Sequence, residues 1–318
     1  MSALLVASCL LSSLLQGLPL MTAEDVVATS LLDAGEEPRR ALVLMHRPGW
    51  AQRARLSVAS EVETVSGEGS AGELRTEYGP EVVVPLHLDL PVTSMDGGAR
   101  FRTGPGRLVP PDPWATRQTA RYRLRVGQPE VRAADDGGEE HALKLAQFLT
   151  GMSGRQGEVV LSSTGALVEA WMDLRGGMPS VLTVLMRGAL SSDWLATPQF
   201  PEEPVGPGAR WTVARAHGVG GMSVITYELV ELRGPHGRLK FQLHAKRPGG
   251  AREPVAEGEL RFDLRRPLPE RMEALFTSRD SPGAREGRRR EVVRRTRVTL
   301  EAGGLQPALQ RTRVAVPP

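Results

Sequence analysis

A strict alternation runs from Val82 to Val92. Val82, Val84, Leu86, Leu88, Leu90 and Val92 share one parity, while Glu81, Val83, Pro85, His87, Asp89 and Pro91 share the other. A period of two places the two sets on opposite faces of a β-strand. The same habit recurs at Leu56–Val62 and at Ala120–Val126, where Arg121, Arg123 and Arg125 take the outer parity. It returns at Ile225–Leu229, Leu239–Ala245, Leu260–Leu264, Met272–Phe276 and Thr296–Leu300. Short Gly/Pro-rich or charged turns separate these five runs and predict an antiparallel meander. Two short apolar runs around Ser162–Gly165 predict a hairpin. Pro85 and Pro91 predict an edge strand, a bend or an interruption, because proline donates no ladder hydrogen bond.

The β period breaks at 139–151. Leu145, Phe148, Leu149 and Met152 follow the i, i+3, i+4, i+7 spacing of one helical face. Glu140 and Lys144 add an i,i+4 pair, and Gly151 and Gly154 a stop. A second helix is predicted over 179–190, opening at Pro179 and near-continuously apolar through Val181–Met186. A short helix is predicted at Ala23–Leu32. The fold class is therefore α+β and β-dominated: a large twisted antiparallel sheet or half-barrel with two or three packed helices. The chain divides into a signal-like apolar segment (1–21), a linker (22–50) and a β-rich first half (51–200). A Pro/Gly hinge (201–210) leads to an antiparallel second half (211–318).

The N-terminus bears on location. Ala3–Leu20 is apolar but interrupted by Ser12, Ser13 and Gln16, too short and broken for a membrane span and similar to the core of a secretory signal. Cys9 is the single cysteine, so no intramolecular disulfide is possible. Val6–Cys9 has the form of a lipobox, which makes Cys9 a candidate lipidation site. These features predict an exported protein, periplasmic or associated with the outer membrane.

Composition changes the weight given to charge. Of 40 basic residues only Lys144, Lys240 and Lys246 are lysines; asparagine is missing and Ile225 is the single isoleucine. This is the mark of GC-rich coding, so arginine runs count for less. Net charge is still asymmetric: −5 over residues 1–200 and +8 over 201–318, giving the overall +3. Arg288, Arg289, Arg290, Arg294, Arg295 and Arg297 concentrate it and are candidates for contact with an anionic membrane surface. No aromatic residue lies between Arg279 and Arg297 to stack on bases, so nucleic acid is not an expected partner.

Catalytic patterns are missing. No His pair has zinc-protease spacing, and the sequences around Ser153 and Ser223 lack the second glycine of a nucleophile elbow. No P-loop or dinucleotide fingerprint occurs, and no cofactor or metal is expected. His87 and Asp89 share a strand face and are the first acid–base candidates of an alternative reading, an envelope hydrolase assembled from distant residues. The adjacent carboxylates at 135–136, 139–140 and 202–203 fit surface charge better than convergent catalysis.

Three features occur in order: a hairpin at Thr164–Gly165, an apolar helix, and the segment Pro201–Trp211 leading into strands. Over roughly residues 155–265 the chain resembles a group of exported or lipoprotein β-rich proteins of bacterial envelopes. The resemblance implies a location and supplies no catalytic residues. The sequence thus points to an envelope protein without an evident catalytic site, binding lipid or another hydrophobic ligand, or serving as a structural partner.

Overall fold

Alternating sequence becomes one antiparallel sheet. The computed structural model describes residues 27–67, 73–90, 95–96, 119–134, 138–172, 197–217, 221–246, 252–280 and 289–307. Its strands are β1 (Val27–Asp33), β2 (Trp50–Gly67), β3 (Glu73–Tyr78), β4 (Glu81–Leu90), β5 (Met95–Asp96), β6 (Thr119–Val126), β7 (Glu130–Arg132) and β8 (Gln156–Ser162). They continue with β9 (Leu167–Met172), β10 (Arg210–His217), β11 (Gly221–Arg233), β12 (His236–Lys246), β13 (Arg252–Asp263), β14 (Arg271–Asp280), β15 (Arg289–Ala302) and β16 (Gln306–Pro307). The order across the sheet is β1-β10-β11-β12-β13-β14-β15-β2-β4-β6-β8-β9. Strands β3 and β16 also pair with β2, β7 with β4, and β5 with β6. The two edges, β1 and β9, do not meet, so the sheet is open.

The register stacks like positions into transverse rows. One row reads Leu31, Trp211, Tyr227, Phe241, Gly258, Ala274, Val298, Val58, Val82, Val131. The next reads Leu229, Leu239, Leu260, Met272, Leu300, Leu56, Val84. These rows share one face, and nearly all of their members belong to one hydrophobic cluster. The opposite face carries the charged parity, for example Arg210, Glu228, Lys240, Glu259 and Glu273 in a single row. Gly258 is required where it stands: a Cβ there would run into the Glu273 carbonyl and the Phe241 ring.

Two ends of the sheet follow from the register. At the base lie the turns at 234–235, 263–270 and 162–166. At the other end, the rim, lie the strand ends Gly67, Glu73, His217, Gly221, Lys246, Arg252, Asp280 and Arg289. The base is strapped by extended segments. Leu44 N–H donates to Ser163 O (2.7 Å), Met45 N–H to Leu264 O (2.6 Å) and Phe200 N–H to Thr164 O (2.8 Å). Trp211 Nε1 donates to Gln199 O at 2.8 Å, and Gln199 Nε2 to Thr29 Oγ1 at 2.7 Å. Buried Gln52 spans the base too, donating to Leu268 O and Gly303 O and accepting from Leu268 N–H at 3.0 Å.

The expected meander of five runs from Ile225 to Leu300 is present as β11–β15, extended by β10, and the expected hairpin as β8–β9. The helix expected over 139–151 is α1 (Glu139–Leu149), continued by a 3₁₀ turn at Thr150–Met152. It is the single α-helix among the described residues, so the expected set of two or three is not found there. The predicted helix over 179–190 lies outside the described residues. The helix expected at Ala23–Leu32 is replaced from Val27 onward by strand β1, since its backbone finds partners on β10.

Pro85 sits inside the sheet. It pairs with Arg55 on one side, and on the other β4 changes partner from β6 to β7, with Gly127 N–H donating to the Pro85 carbonyl. The missing donor falls where the ladder is already interrupted. Residues 204–209 are bound to 34–40: Glu36 to Pro207, Arg40 and Val205 to each other, and Gly206 to Ala34, all through backbone groups. A side chain on Gly206 would collide with the Glu36 carbonyl.

Candidate functional site

Along each strand the apolar face changes from base to rim. On β15, Leu300 and Val298 are fully buried, Thr296 is buried, and Arg294 is half-buried. On β14, Met272 and Ala274 are followed by half-buried Phe276 and Ser278; on β2, Leu56 is followed by half-buried Val58, buried Ser60 and half-buried Val62. The depth also changes across the sheet. Trp211, Val213, Ile225, Leu239 and Leu243 on β10–β12 are closed off from solvent. Phe276, Val58, Val82 and Val131 are only partly buried, as are Leu145 and Phe148 of α1, which pack against the same cluster. Val58, Val82 and Val131 stand directly opposite one another on β2, β4 and β7. This half-buried apolar strip is the candidate site.

Polar residues border it on the rim side. Ser60 pairs with Thr296, Thr296 with Phe276, and Arg294 with Ser278 and Val62. Residues directly opposite on antiparallel strands share a face, so Ser60, Thr296, Ser278 and Arg294 form one patch on β2, β15 and β14. Arg215 is a further buried basic residue on this face, on β10.

Two titratable groups meet at the base. His46 Nδ1 and Tyr122 Oη are 2.7 Å apart, and their rings are in edge contact at 5.8 Å. Burial lowers the His46 pKa to about 4, against a weaker opposing effect of a backbone hydrogen bond with Ser162. Burial raises that of Tyr122. Ser162 Oγ accepts from Ala166 N–H and contacts Thr164 Oγ1, both at 3.0 Å.

His236, Asp263 and Glu270 bring ligand atoms within 4.8 Å of one another, the spacing of a metal set. The carboxylates are already engaged by arginine. Asp263 accepts from Arg265 Nε and NH2, both at 2.8 Å, and Arg266 Nε lies 3.1 Å away; Arg266 NH1 lies 3.1 Å from Glu270. Burial would raise the Asp263 pKa, but the hydrogen bonds and charge of Arg265, with Arg266, outweigh it and hold it low. The cluster is an ion-pair lock on the turn after β13.

A groove of about 580 Å³ opens on the charged face above Gly258, bordered by Arg210, Lys240, Glu257, Glu259 and Arg297. Its mixed charges continue the solvated ladder of that face. Among the described residues no helix is long and apolar enough to cross a membrane. Rows such as Arg210–Glu273 lack the apolar outward band that a lipid-facing barrel strand carries.

The sequence-derived candidates are dispersed. Cys9 and Arg288 lie outside the described residues. Arg289 and Arg290 open β15 opposite Gly67 and Ser66. Strand alternation then separates the others: Arg294 is on the apolar face, while Arg295 and Arg297 are on the charged one. Arg295 NH1 lies 3.2 Å from Glu61 and 2.5 Å from Glu63. His87 and Asp89 are half-buried on the charged face, paired across the ladder with Arg53, Arg125 and Arg123. Burial lowers the His87 pKa, opposed by Asp89 and reinforced by Arg53 and Arg125. No catalytic constellation is evident among the described residues. The patch at Ser60, Thr296 and Arg294 escaped the sequence reading. Its signal was present on β15, where Arg294 has the parity of Thr296, Val298 and Leu300.

No family model and no curated protein matches the chain. Among solved structures, the chain is similar to a protein of Bacteroides fragilis described as exported, with a YmcC-like fold. Identity is 11%, covering 80% of this chain and 97% of that one, with a TM-score of 0.26. A lipovitellin structure concerned with lipid–protein interactions matches at 12% identity and TM-score 0.28, over 83% of this chain and 26% of that one. The monoaromatic hydrocarbon channel TodX, as a deletion mutant, matches at 8% identity and TM-score 0.25, over 81% and 90%. Likenesses this distant carry nothing about ligand or activity.

Proposed function

We propose that the protein is a non-catalytic protein of the bacterial envelope that holds an apolar ligand, a lipid chain first among the candidates, on the half-buried strip. The supporting observation is the contrast in depth on one apolar face: closed at Trp211 and Leu243, partly open at Phe276, Val58, Val82 and Val131. Burying a further 100 Å² of such surface is worth about 2.5 kcal/mol before ordering costs. The apolar Ala3–Leu20 stretch supports export, and Cys9 is the proposed lipid attachment point. The full chain, purified from its own envelope and extracted with organic solvent, should release lipid detectable by mass spectrometry. It should also bind a fluorescent fatty-acid probe saturably. A chain that carries no lipid and binds no probe overturns the ligand reading.

The structural-partner reading is favoured by one observation, the complete burial of the β10–β12 part of the face by the chain itself. For the attachment point, Cys9→Ser should move the protein from the membrane to the soluble envelope fraction. Unchanged partitioning, with the first twenty residues still on the mature chain, would end that proposal. The basic run is proposed to meet an anionic membrane surface. Replacing Arg288, Arg289 and Arg290 with Ser should weaken binding to anionic vesicles by roughly two decades at low salt, at about 1 kcal/mol per arginine.

A further inference from the structure

We infer that the ligand of this strip is a single-chain amphiphile with an anionic head, its tail along Phe276, Val58 and Val82 and its head at Arg294. The inference rests on the ligand-binding reading above and specifies its chemistry. The register supplies the geometry. Arg294, Thr296, Ser60 and Ser278 occupy neighbouring positions on three adjacent strands, immediately on the rim side of the apolar residues. Strands lie about 4.8 Å apart and same-face residues about 6.8 Å apart along a strand, so the patch spans roughly 10 Å. Side chains projecting from a patch of that width are within reach of a single carboxylate or phosphate head placed between them.

The chemistry of the patch is selective. Ser60 is only 8% exposed, and its Oγ has no hydrogen-bond partner among the described residues. A buried hydroxyl left so is unusual in a folded protein, and a head-group oxygen is an acceptor for it. Thr296 places a second hydroxyl directly opposite. A guanidinium at the border of an apolar strip recognises an anion through charge-assisted, forked hydrogen bonds, from which an uncharged chain end gains little. Glu77, across Val62 on the same face, has its charge engaged by Arg75 at 3.1 Å, which limits its repulsion of an incoming anion. The half-buried Phe276, Val58 and Val82, with Arg294, Thr296, Ser60 and Ser278 beside them, thus match an amphiphile whose tail lies across the strip and whose head meets the polar patch.

The test compares oleate with oleyl alcohol, which has the same chain without the charge. Each is titrated below its aggregation concentration into the full-length protein at low salt, with displacement of a fluorescent apolar probe as readout. The unaltered protein should bind oleate about tenfold more tightly, or better. Arg294→Gln should remove that preference while leaving oleyl alcohol affinity within about twofold. Arg294→Lys should keep part of it, and Ser60→Ala should lose a few-fold for oleate alone. Equal affinity of the unaltered protein for the two compounds overturns the inference and leaves the apolar-ligand reading intact. Failure of both compounds to bind overturns that reading and this one with it. The comparison on the unaltered protein decides the matter even if the Arg294 variants do not fold.

Discussion

The meander β10–β15 and the wing formed by β2, β4, β6 and β7 use the same alternating code but bury it to different depths. In the meander each strand keeps the same partners despite register shifts after Leu229 and Leu243, and aromatic rings fill the row: Trp211 stacks on Tyr227 at 5.5 Å, and Tyr227 meets Phe241 at 6.4 Å. In the wing the ladder changes partner, β2 from β4 to β3 and β4 from β6 to β7. Its row positions are valines, which reach less far than rings. The lesson is that alternation sets which face is apolar, whereas side-chain size and ladder continuity set whether that face closes on itself. Along the row from Trp211 to Val131 the meander members form core, while the wing members Val58, Val82 and Val131 keep an open side; elsewhere in the wing Leu88, Leu90, Tyr122 and Val126 are buried.

The comparison can be broken by substitutions on each side. Trp211→Ala should produce the largest loss of stability, about 3–5 kcal/mol, because it empties the fully enclosed end of the row and strands the Gln199 carbonyl. Chemical denaturation would measure it, and a loss below 1 kcal/mol would show that the meander is not the tighter half. Gly258→Ala should cost about 1–3 kcal/mol by forcing apart β13, β14 and the Phe241 ring.

His46 gives the next effect. Its pKa is lowered in the fold, so below the ordinary value of 6.5 the unfolded chain takes up a proton that the folded chain refuses until about pH 4. Stability should therefore fall as pH drops from 6.5 toward 4, by at most about 1.4 kcal/mol per unit from this group. His46→Phe should flatten that slope in pH-dependent denaturation; an unchanged slope would assign it to other groups. Val82→Ala in the wing should be mildest for stability, about 1 kcal/mol or less, yet should weaken binding of the apolar probe. Trp211→Phe should spare probe binding, and the reverse pattern would exchange the roles assigned to the two regions.

The faces were legible from sequence because parity is a local property. Leu239, Phe241 and Leu243 announce their shared side without knowledge of neighbours. Element type was less secure where a run was short: Val27–Leu32 satisfies a helix or a strand, and the choice of strand is made by β10, nearly two hundred residues away. Depth was not legible at all. Val58 and Val298 read alike in sequence, but one is half-buried and the other enclosed. The candidate site shares that fate, since Ser60 meets Thr296 only through long-range pairing. The contact of His46 with Tyr122 also depends on a segment that the sequence marked as linker.

One ladder governs how such a molecule comes to exist. Strand β2 pairs along fourteen positions with β15, and Val58 meets Val298 across 240 residues of chain. During synthesis, β2 is made early and its partner near the end. Loop closure over that distance is slow, and a long unpaired strand edge invites association with other chains. A polypeptide with this order completes its central seam last, so it benefits from being kept unfolded or attended until β15 has been delivered. Chains cut short before residue 289 should not be slightly weakened versions of the protein; they should be two sheet fragments with sticky margins, recovered in the insoluble fraction.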